Sequence, residues 1–186
     1  MLTLLKYLFL AIVQGITEPI PVSSSGHLVI IRNLIHMPEL TDLNFEIILN
    51  FGSFLAIVVF FWKDIVEIIK DFFSYLATKE EKYHANYKYA WYIVLATIPA
   101  GLLGIILKDY IENVLSSVKI VGVALLITAL FLYLIRNIKG TKEDKDLTWK
   151  DAIAIGLFQT VALFPGISRS GSTIVGGMFR GLKRDT

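Results

Sequence analysis

The chain has 186 residues, of which 55% are hydrophobic and only 18% charged, with a mean hydropathy of +0.63. A water-soluble domain of this size carries more charge and fewer unbroken apolar runs, so the composition excludes an ordinary soluble globule and points to an integral membrane protein. A net charge of +2 gives no basis for a nucleic-acid partner, and the absence of cysteine removes disulfide and thiolate chemistry.

The chain opens on LLKYLFLAIV (4–13), apolar except for Lys6. It has no small-residue cleavage site, so a removable signal peptide is not expected. Next comes QGITEPIPVSSSGHL (14–28), followed by a second apolar run. Roughly ten apolar residues, a Pro/Gly/Ser break and ten more predict a helix–turn–helix over 4–34 that enters the membrane and returns; a solvated surface loop is the plain alternative. Three segments then approach the roughly 20 residues a membrane crossing needs. They are IILNFGSFLAIVVFFW (47–62), AWYIVLATIPAGLLGIIL (90–107) and VKIVGVALLITALFLYLI (118–135), and none has a polar face at helical spacing.

Basic residues orient these spans. Lys63, Lys70, Lys79, Lys82 and Lys88 lie between the first and second, and Arg136, Lys139, Lys142, Lys145 and Lys150 follow the third. The opposite connections hold only Arg32, Lys108 and Lys119. The positive-inside rule therefore places 63–89 and 136–150 in the cytoplasm of a multi-pass plasma-membrane protein.

An internal repeat follows. At an offset of 145, Gln14 falls on Gln159, Ser23 on Ser168, Ser25 on Ser170 and Gly26 on Gly171, so Q-x8-S-x-S-G occurs twice. The fold expected is all-α, an inverted-topology repeat with two re-entrant helix pairs, 4–34 dipping from outside and 151–182 from inside. Such broken half-helices meet near the midplane and build polar sites. The expected layout is one membrane domain, with repeat 1 at about 1–145 and the start of repeat 2 at about 150–186. The partner of the 47–62 span would fall past Thr186, so the second repeat is expected to be incomplete here, in a truncated chain or one completed by a second copy as a homodimer.

Departures from the repeat carry the chemistry. Glu18 falls on Leu163, Ser24 on Arg169 and His27 on Ser172. Glu18 precedes Pro19, which ends a helix there. A carboxylate at a helix C-terminus meets the unfavourable end of the dipole, and at membrane depth it costs at least about 2.5–3.5 kcal/mol. It therefore asks for a cation: Arg169, a metal ion, or both. A Glu18–Arg169 ion pair that merely locks the repeats together is the structural alternative. Gln14, one helical turn earlier, shares Glu18's face. In the second turn, Ser168, Ser170, Ser172 and Thr173 offer hydroxyls beside a new helix N-terminus, and Arg169 offers a planar fork suited to phosphate. His27 lies close enough to Ser24 for a hydroxyl–imidazole contact.

QGITE (14–18), SSSGH (23–27) and PGISRSGST (165–173) together resemble the bacitracin-resistance type of undecaprenyl-diphosphate phosphatase, with its (E/Q)-x-x-x-E, Ser-Ser-x-Gly-His and Pro-Gly-x-Ser-Arg-Ser-x-x-Thr motifs. The likeness extends over essentially the whole chain. It implies a membrane hydrolase that takes the terminal phosphate from a polyprenyl diphosphate lipid and regenerates the carrier for cell-envelope synthesis, and whose loss or gain would alter bacitracin sensitivity. It also implies a divalent cation (Mg or Ca) and an active site facing the extracytoplasmic side. Ser24 would be the nucleophile and His27 its acid/base partner; Glu18, with Gln14, would hold the metal or position the diphosphate. Arg169, Ser23, Ser168, Ser170 and Thr173 would bind phosphate. A lipid-phosphate transporter using the same midplane site is the competing class.

Overall fold

The computed structural model describes residues 2–36, 43–114 and 117–183. Its α-helices are α1 (Leu2–Thr17), α2 (Ser24–Leu34), α3 (Leu43–Phe60), α4 (Trp62–Thr78), α5 (His84–Val114), α6 (Val118–Ile135), α7 (Trp149–Val161) and α8 (Arg169–Phe179). No strand occurs among the described residues, so the all-helical expectation holds. α5 and α6 are each long and apolar enough to cross a membrane, and they contain the expected spans 90–107 and 118–135. Large apolar side chains face outward from both, Ile105 at 79% and Leu126 at 71% exposed. In water each such side chain forgoes roughly 1.5–3 kcal/mol of burial, whereas lipid tails cover it. The protein is a membrane protein.

The expected span at 47–62 needs correction at its end. α3 stops at Phe60, α4 starts at Trp62, and the two axes meet at 72°. The composition changes at this corner. Lys63, Asp64, Glu67, Lys70 and Asp71 enter α4, none of whose residues is buried, and charges of that density do not continue through hydrocarbon. Much of 63–89, expected only as a connection, is therefore helix folded back on the start of α5. Phe72 stacks on Tyr87 with ring centroids 5.2 Å apart, and Asn86 donates to Asp71 at 2.7 Å.

Two short helical hairpins, α1/α2 and α7/α8, meet at α6, which packs against both α2 and α8. At 1.5 Å per residue α1 reaches ~24 Å and the other three ~17–20 Å, all short of a hydrocarbon core of ~30 Å. Each hairpin is tied at its open base. In the first, the Lys6 ammonium donates to the Ile35 carbonyl at 3.2 Å. In the second, fully buried Asp151 accepts from Lys142 Nζ at 3.0 and 3.2 Å and from Arg180 Nε at 2.8 Å. It also accepts from the Thr148 backbone N–H at 3.0 Å and hydroxyl at 2.7 Å, capping α7. Adding 145 to positions 6 and 35 gives 151 and 180, and adding it to 24–34 gives 169–179, the bounds of α8. The tied positions and the second helices thus keep the sequence offset, although the chemistry of the tie differs.

Packing around the hairpins is local. Leu10 and Leu28 form a small core with Tyr7, Phe45 and Leu49, joining α3 to the first hairpin. Ile135 of α6 packs on Val175 and Met178 of α8. α7 lies against α5 so closely that a Cβ on Gly156 would stand 2.5 Å from the Ala96 carbonyl oxygen, the small-residue contact by which membrane helices approach.

Candidate active site

The first turn is shaped by its own sequence. α1 ends at Thr17, one residue before the Glu18–Pro19 pair, as expected from proline's effect on the residue before it. Ser23 adopts φ 66°, uncommon for a residue with a side chain, and caps α2, its hydroxyl accepting from the Gly26 N–H at 3.3 Å. Ser168 caps α8 in the same way, accepting from the Gly171 N–H at 3.1 Å. Each cap also meets the serine two residues on: Ser23 to Ser25 at 3.5 Å and Ser168 to Ser170 at 3.2 Å.

The two turns touch. A Cβ on Gly26 would stand 3.0 Å from Gly166 Cα and 2.9 Å from Leu125 Cδ2, so only glycine permits this approach. Gly166 itself sits at φ +96° with the Val121 carbonyl oxygen 2.7 Å from where its Cβ would be. On the other side, the Pro21 carbonyl oxygen lies 3.1 Å from an ideal Cβ on Gly171. Thr128, buried in α6, stitches the second turn in place: its hydroxyl donates to the Gly166 carbonyl at 3.3 Å and accepts from the Ser168 N–H at 3.1 Å.

Polar side chains of the first hairpin converge beside this junction. The Ser24 hydroxyl donates to Glu18 Oε2. The Gln14 amide nitrogen donates to the same Oε2 at 3.1 Å and to Asn50 Oδ1 of α3 at 2.9 Å. Gln14 is 1% exposed, and its buried Oε1 has no hydrogen-bond partner among the described residues. Glu18 thus accepts from Ser24 and Gln14, which meets part of the cost of placing a carboxylate there.

Two expected contacts are absent. His27 does not bond to Ser24; its Nδ1 points to the Ser23 carbonyl at 2.8 Å. The left-handed turn of Ser23 leaves that carbonyl accepting both the His27 N–H, at 3.2 Å, and the ring. Nδ1 therefore carries the proton and Nε2 the free lone pair of the neutral ring. Nor is there a Glu18–Arg169 ion pair among the described residues. Arg169 opens α8 with its side chain exposed, so the interlocking-pair alternative does not hold. Ser168, 3% exposed, lies at the second turn with half-buried Ser170 and Thr173; the Thr173 hydroxyl donates to the Ser170 carbonyl at 3.0 Å. The Ser172 hydroxyl is buried without a hydrogen-bond partner among the described residues. Asn50 and Thr128 are the residues that reading the sequence missed. Their one signal was a hydrogen-bonding side chain inside an apolar span.

Long apolar helices beside two abutting polar turns define a membrane protein whose polar side chains gather where short helices meet. The sequence pattern of the family described as "Bacitracin resistance protein BacA" matches residues 7–186. The chain is 48% identical over 183 residues to "Undecaprenyl-diphosphatase 2" of Bacillus thuringiensis (strain Al Hakam), an alignment covering 98% of this chain and 67% of that protein. It is 44% identical over 186 residues to "Undecaprenyl-diphosphatase" of Oceanobacillus iheyensis, covering 99% and 67%, and 45% identical over 186 residues to "Undecaprenyl-diphosphatase 1" of Bacillus licheniformis, covering 100% and 68%. The chain thus spans about two thirds of the length of these relatives. It belongs to the bacitracin resistance protein BacA family.

Proposed function

We propose that this chain carries the active site of a membrane hydrolase that converts undecaprenyl diphosphate to the monophosphate and inorganic phosphate, recycling the lipid carrier of cell-envelope synthesis. The observation that carries this reading is the Ser24–Glu18 hydrogen bond beside the junction of the two turns, in a chain whose relatives bear the name undecaprenyl-diphosphatase. A serine hydroxyl is a weak nucleophile until an adjacent base takes its proton, and Glu18 is placed to do so. A carrier needs no activated hydroxyl, so this geometry favours cleavage over transport.

In the proposed reaction the polyprenyl tail stays in hydrocarbon and the diphosphate enters between the turns. Ser24 Oγ attacks the terminal phosphorus as its proton passes to Glu18, and the bond to the bridging oxygen breaks, releasing lipid monophosphate. Water then attacks the serine phosphate: its oxygen bonds to phosphorus as the Ser24 Oγ–P bond breaks, Glu18 returns its proton to Ser24 Oγ, and the water's proton goes out with the inorganic phosphate. Charge grows on the bridging and equatorial oxygens, where Arg169 and the N-terminal turn of α8 with Ser168, Ser170 and Thr173 would stabilise it. Ser23 fixes the orientation of His27, whose Nε2, once protonated, would serve the leaving oxygen.

The residues present also suit a divalent cation. Glu18 offers a carboxylate oxygen and Gln14 a buried amide oxygen without a partner, both hard donors of the kind Mg or Ca takes. No group of three or more His, Cys, Asp or Glu side chains fit to hold a metal occurs among the described residues, so phosphate oxygens and water would complete the shell. When bound, the ion would neutralise charge on the diphosphate.

The two hairpins would be re-entrant, one from each face. Their short helices and tied bases support entry and return on one side. The second base lies at the C-terminal end of α6 through Ile135, Val175 and Met178. The first base meets the N-terminal end of α3 through Tyr7 and Phe45, with ring centroids 4.9 Å apart, while the other end of α3 leads through α4 to the start of α5. With 63–89 and 136–150 cytoplasmic, the site would open to the extracytoplasmic side. Phosphate release from undecaprenyl diphosphate by the purified protein, with and without chelator, tests the reading. Release that chelation abolishes supports it; no release in any added divalent cation overturns it.

A further inference from the structure

Asn50 is a polar side chain within the apolar stretch 47–60 of α3, outside every motif that marks the site. Its Oδ1 accepts from Gln14 Nε2 at 2.9 Å, and the same nitrogen donates to Glu18 Oε2 at 3.1 Å. An amide nitrogen has two hydrogens and the amide oxygen none. Gln14 presents nitrogen to Glu18 Oε2, the oxygen that also accepts from the Ser24 hydroxyl, because turning the amide over would set oxygen against that acceptor. The second hydrogen then needs an acceptor in a buried setting, and Asn50 supplies it. With both hydrogens engaged, Oε1 is held at one place in the interior, unpartnered.

We infer that Asn50 is a positioning residue for the proposed hydrolysis: it fixes the Gln14 amide, which fixes the Glu18 carboxylate against which the Ser24 hydroxyl is held. The inference rests on the hydrolase reading above. An asparagine can also turn its own amide over, so it can donate to a carboxylate at position 14 as readily as it accepts from an amide there. It therefore suits either residue that the (E/Q)-x-x-x-E motif allows, whereas an aspartate at 50 suits only the amide.

A merely structural asparagine would act as interhelical glue, and its loss would lower stability but leave turnover alone. The test is kcat, KM and melting temperature of Asn50→Leu, and of Asn50→Asp in both the natural and the Gln14→Glu backgrounds. Asn50→Leu should lower kcat by about tenfold or more with KM changed by less than about threefold, as a misplaced reacting group does. Asn50→Asp should cost at least about tenfold more with Glu at 14 than with Gln at 14, because two carboxylates then face each other. Unchanged kcat with a lowered melting temperature in Asn50→Leu overturns the inference, as does an equal effect of Asn50→Asp in both backgrounds. Should Asn50→Leu not fold, the two-background comparison decides alone. If the unmutated protein releases no phosphate, the hydrolase reading fails and positioning for hydrolysis fails with it. An active unmutated protein with a silent Asn50→Leu sinks the positioning role alone.

Discussion

Replacing Gly26 by alanine probes the junction on which the site is built. The added methyl would stand 2.9 Å from Leu125 Cδ2 and 3.0 Å from Gly166 Cα. The leucine can rotate away, but Gly166 is backbone held by Thr128 and cannot. Carbon atoms rest about 3.5–4.0 Å apart, so α2 must back away from the second turn by roughly 0.5–1 Å. Two energies then oppose. Overpacking costs about 1–3 kcal/mol, while alanine in place of helical glycine returns about 0.8–1.0 kcal/mol, leaving a net loss of about 0–2 kcal/mol. Ser24 moves with α2, and a displacement near 1 Å can cost on the order of 100-fold in rate. Activity should therefore fall far more than stability. The assay is phosphate release at saturating substrate alongside thermal unfolding. Gly101→Ala is the control, since a Cβ there meets no described atom within 4 Å; it should match the unmutated protein in activity and gain about 0.8–1.0 kcal/mol in unfolding, because position 101 is helical. A Gly26→Ala protein whose kcat stays within about twofold would refute the claim that contact between the turns sets the geometry.

At the base of the second hairpin, Asp151→Ala removes a buried carboxylate, but Lys142 and Arg180 keep 32% and 41% side-chain exposure and can be solvated. The loss should thus fall below the 3–5 kcal/mol of a fully buried broken pair, at roughly 2–3 kcal/mol; an unchanged melting temperature would contradict it. Thr128→Val keeps the shape but leaves the buried Ser168 N–H unpaired, an expected loss of about 1–3 kcal/mol in chemical unfolding, and equal stability would show that the stitch is not needed. Single cysteines placed in 63–89 or 136–150 should react with an impermeant thiol reagent only after the membrane is opened. Labelling from outside would invert the proposed orientation.

Much of the fold was legible because it rests on local rules. Glu18–Pro19 ends α1, serine caps start α2 and α8 at positions 145 apart, and unbroken apolar runs mark α5 and α6. The corner at Phe61 was not legible. It shows in sequence only as a rise in charge, and its angle depends on how α4 meets α5. In the site, the residues were nameable but not their partners. Ser24 lies three residues from His27 and six from Glu18, and spacing alone favoured the histidine. The folded turn reverses that, because the Ser23 carbonyl takes the ring and the turn brings the carboxylate back. Glu18 and Arg169 looked like natural partners by charge, yet Glu18 is met by Ser24 and Gln14. Asn50 and Thr128 escaped notice because a single polar residue in an apolar span has no periodicity, and its meaning comes from the turn it faces. The ties Lys6–Ile35 and Asp151–Arg180 join residues 29 apart, and no pattern in the sequence announces them.

The most direct test of the central claim, that Ser24 activated by Glu18 attacks the diphosphate, is phosphate release by purified Ser24→Ala protein under conditions where the unmutated protein is active. The substitution removes the hydroxyl and leaves Glu18, Gln14, Arg169 and the second turn in place. Phosphate release should fall by several orders of magnitude, about 10³ or more, with substrate binding retained, since removing a covalent nucleophile leaves only what binding and charge stabilisation supply. Release at close to the unmutated rate would contradict it and assign the attack to water instead.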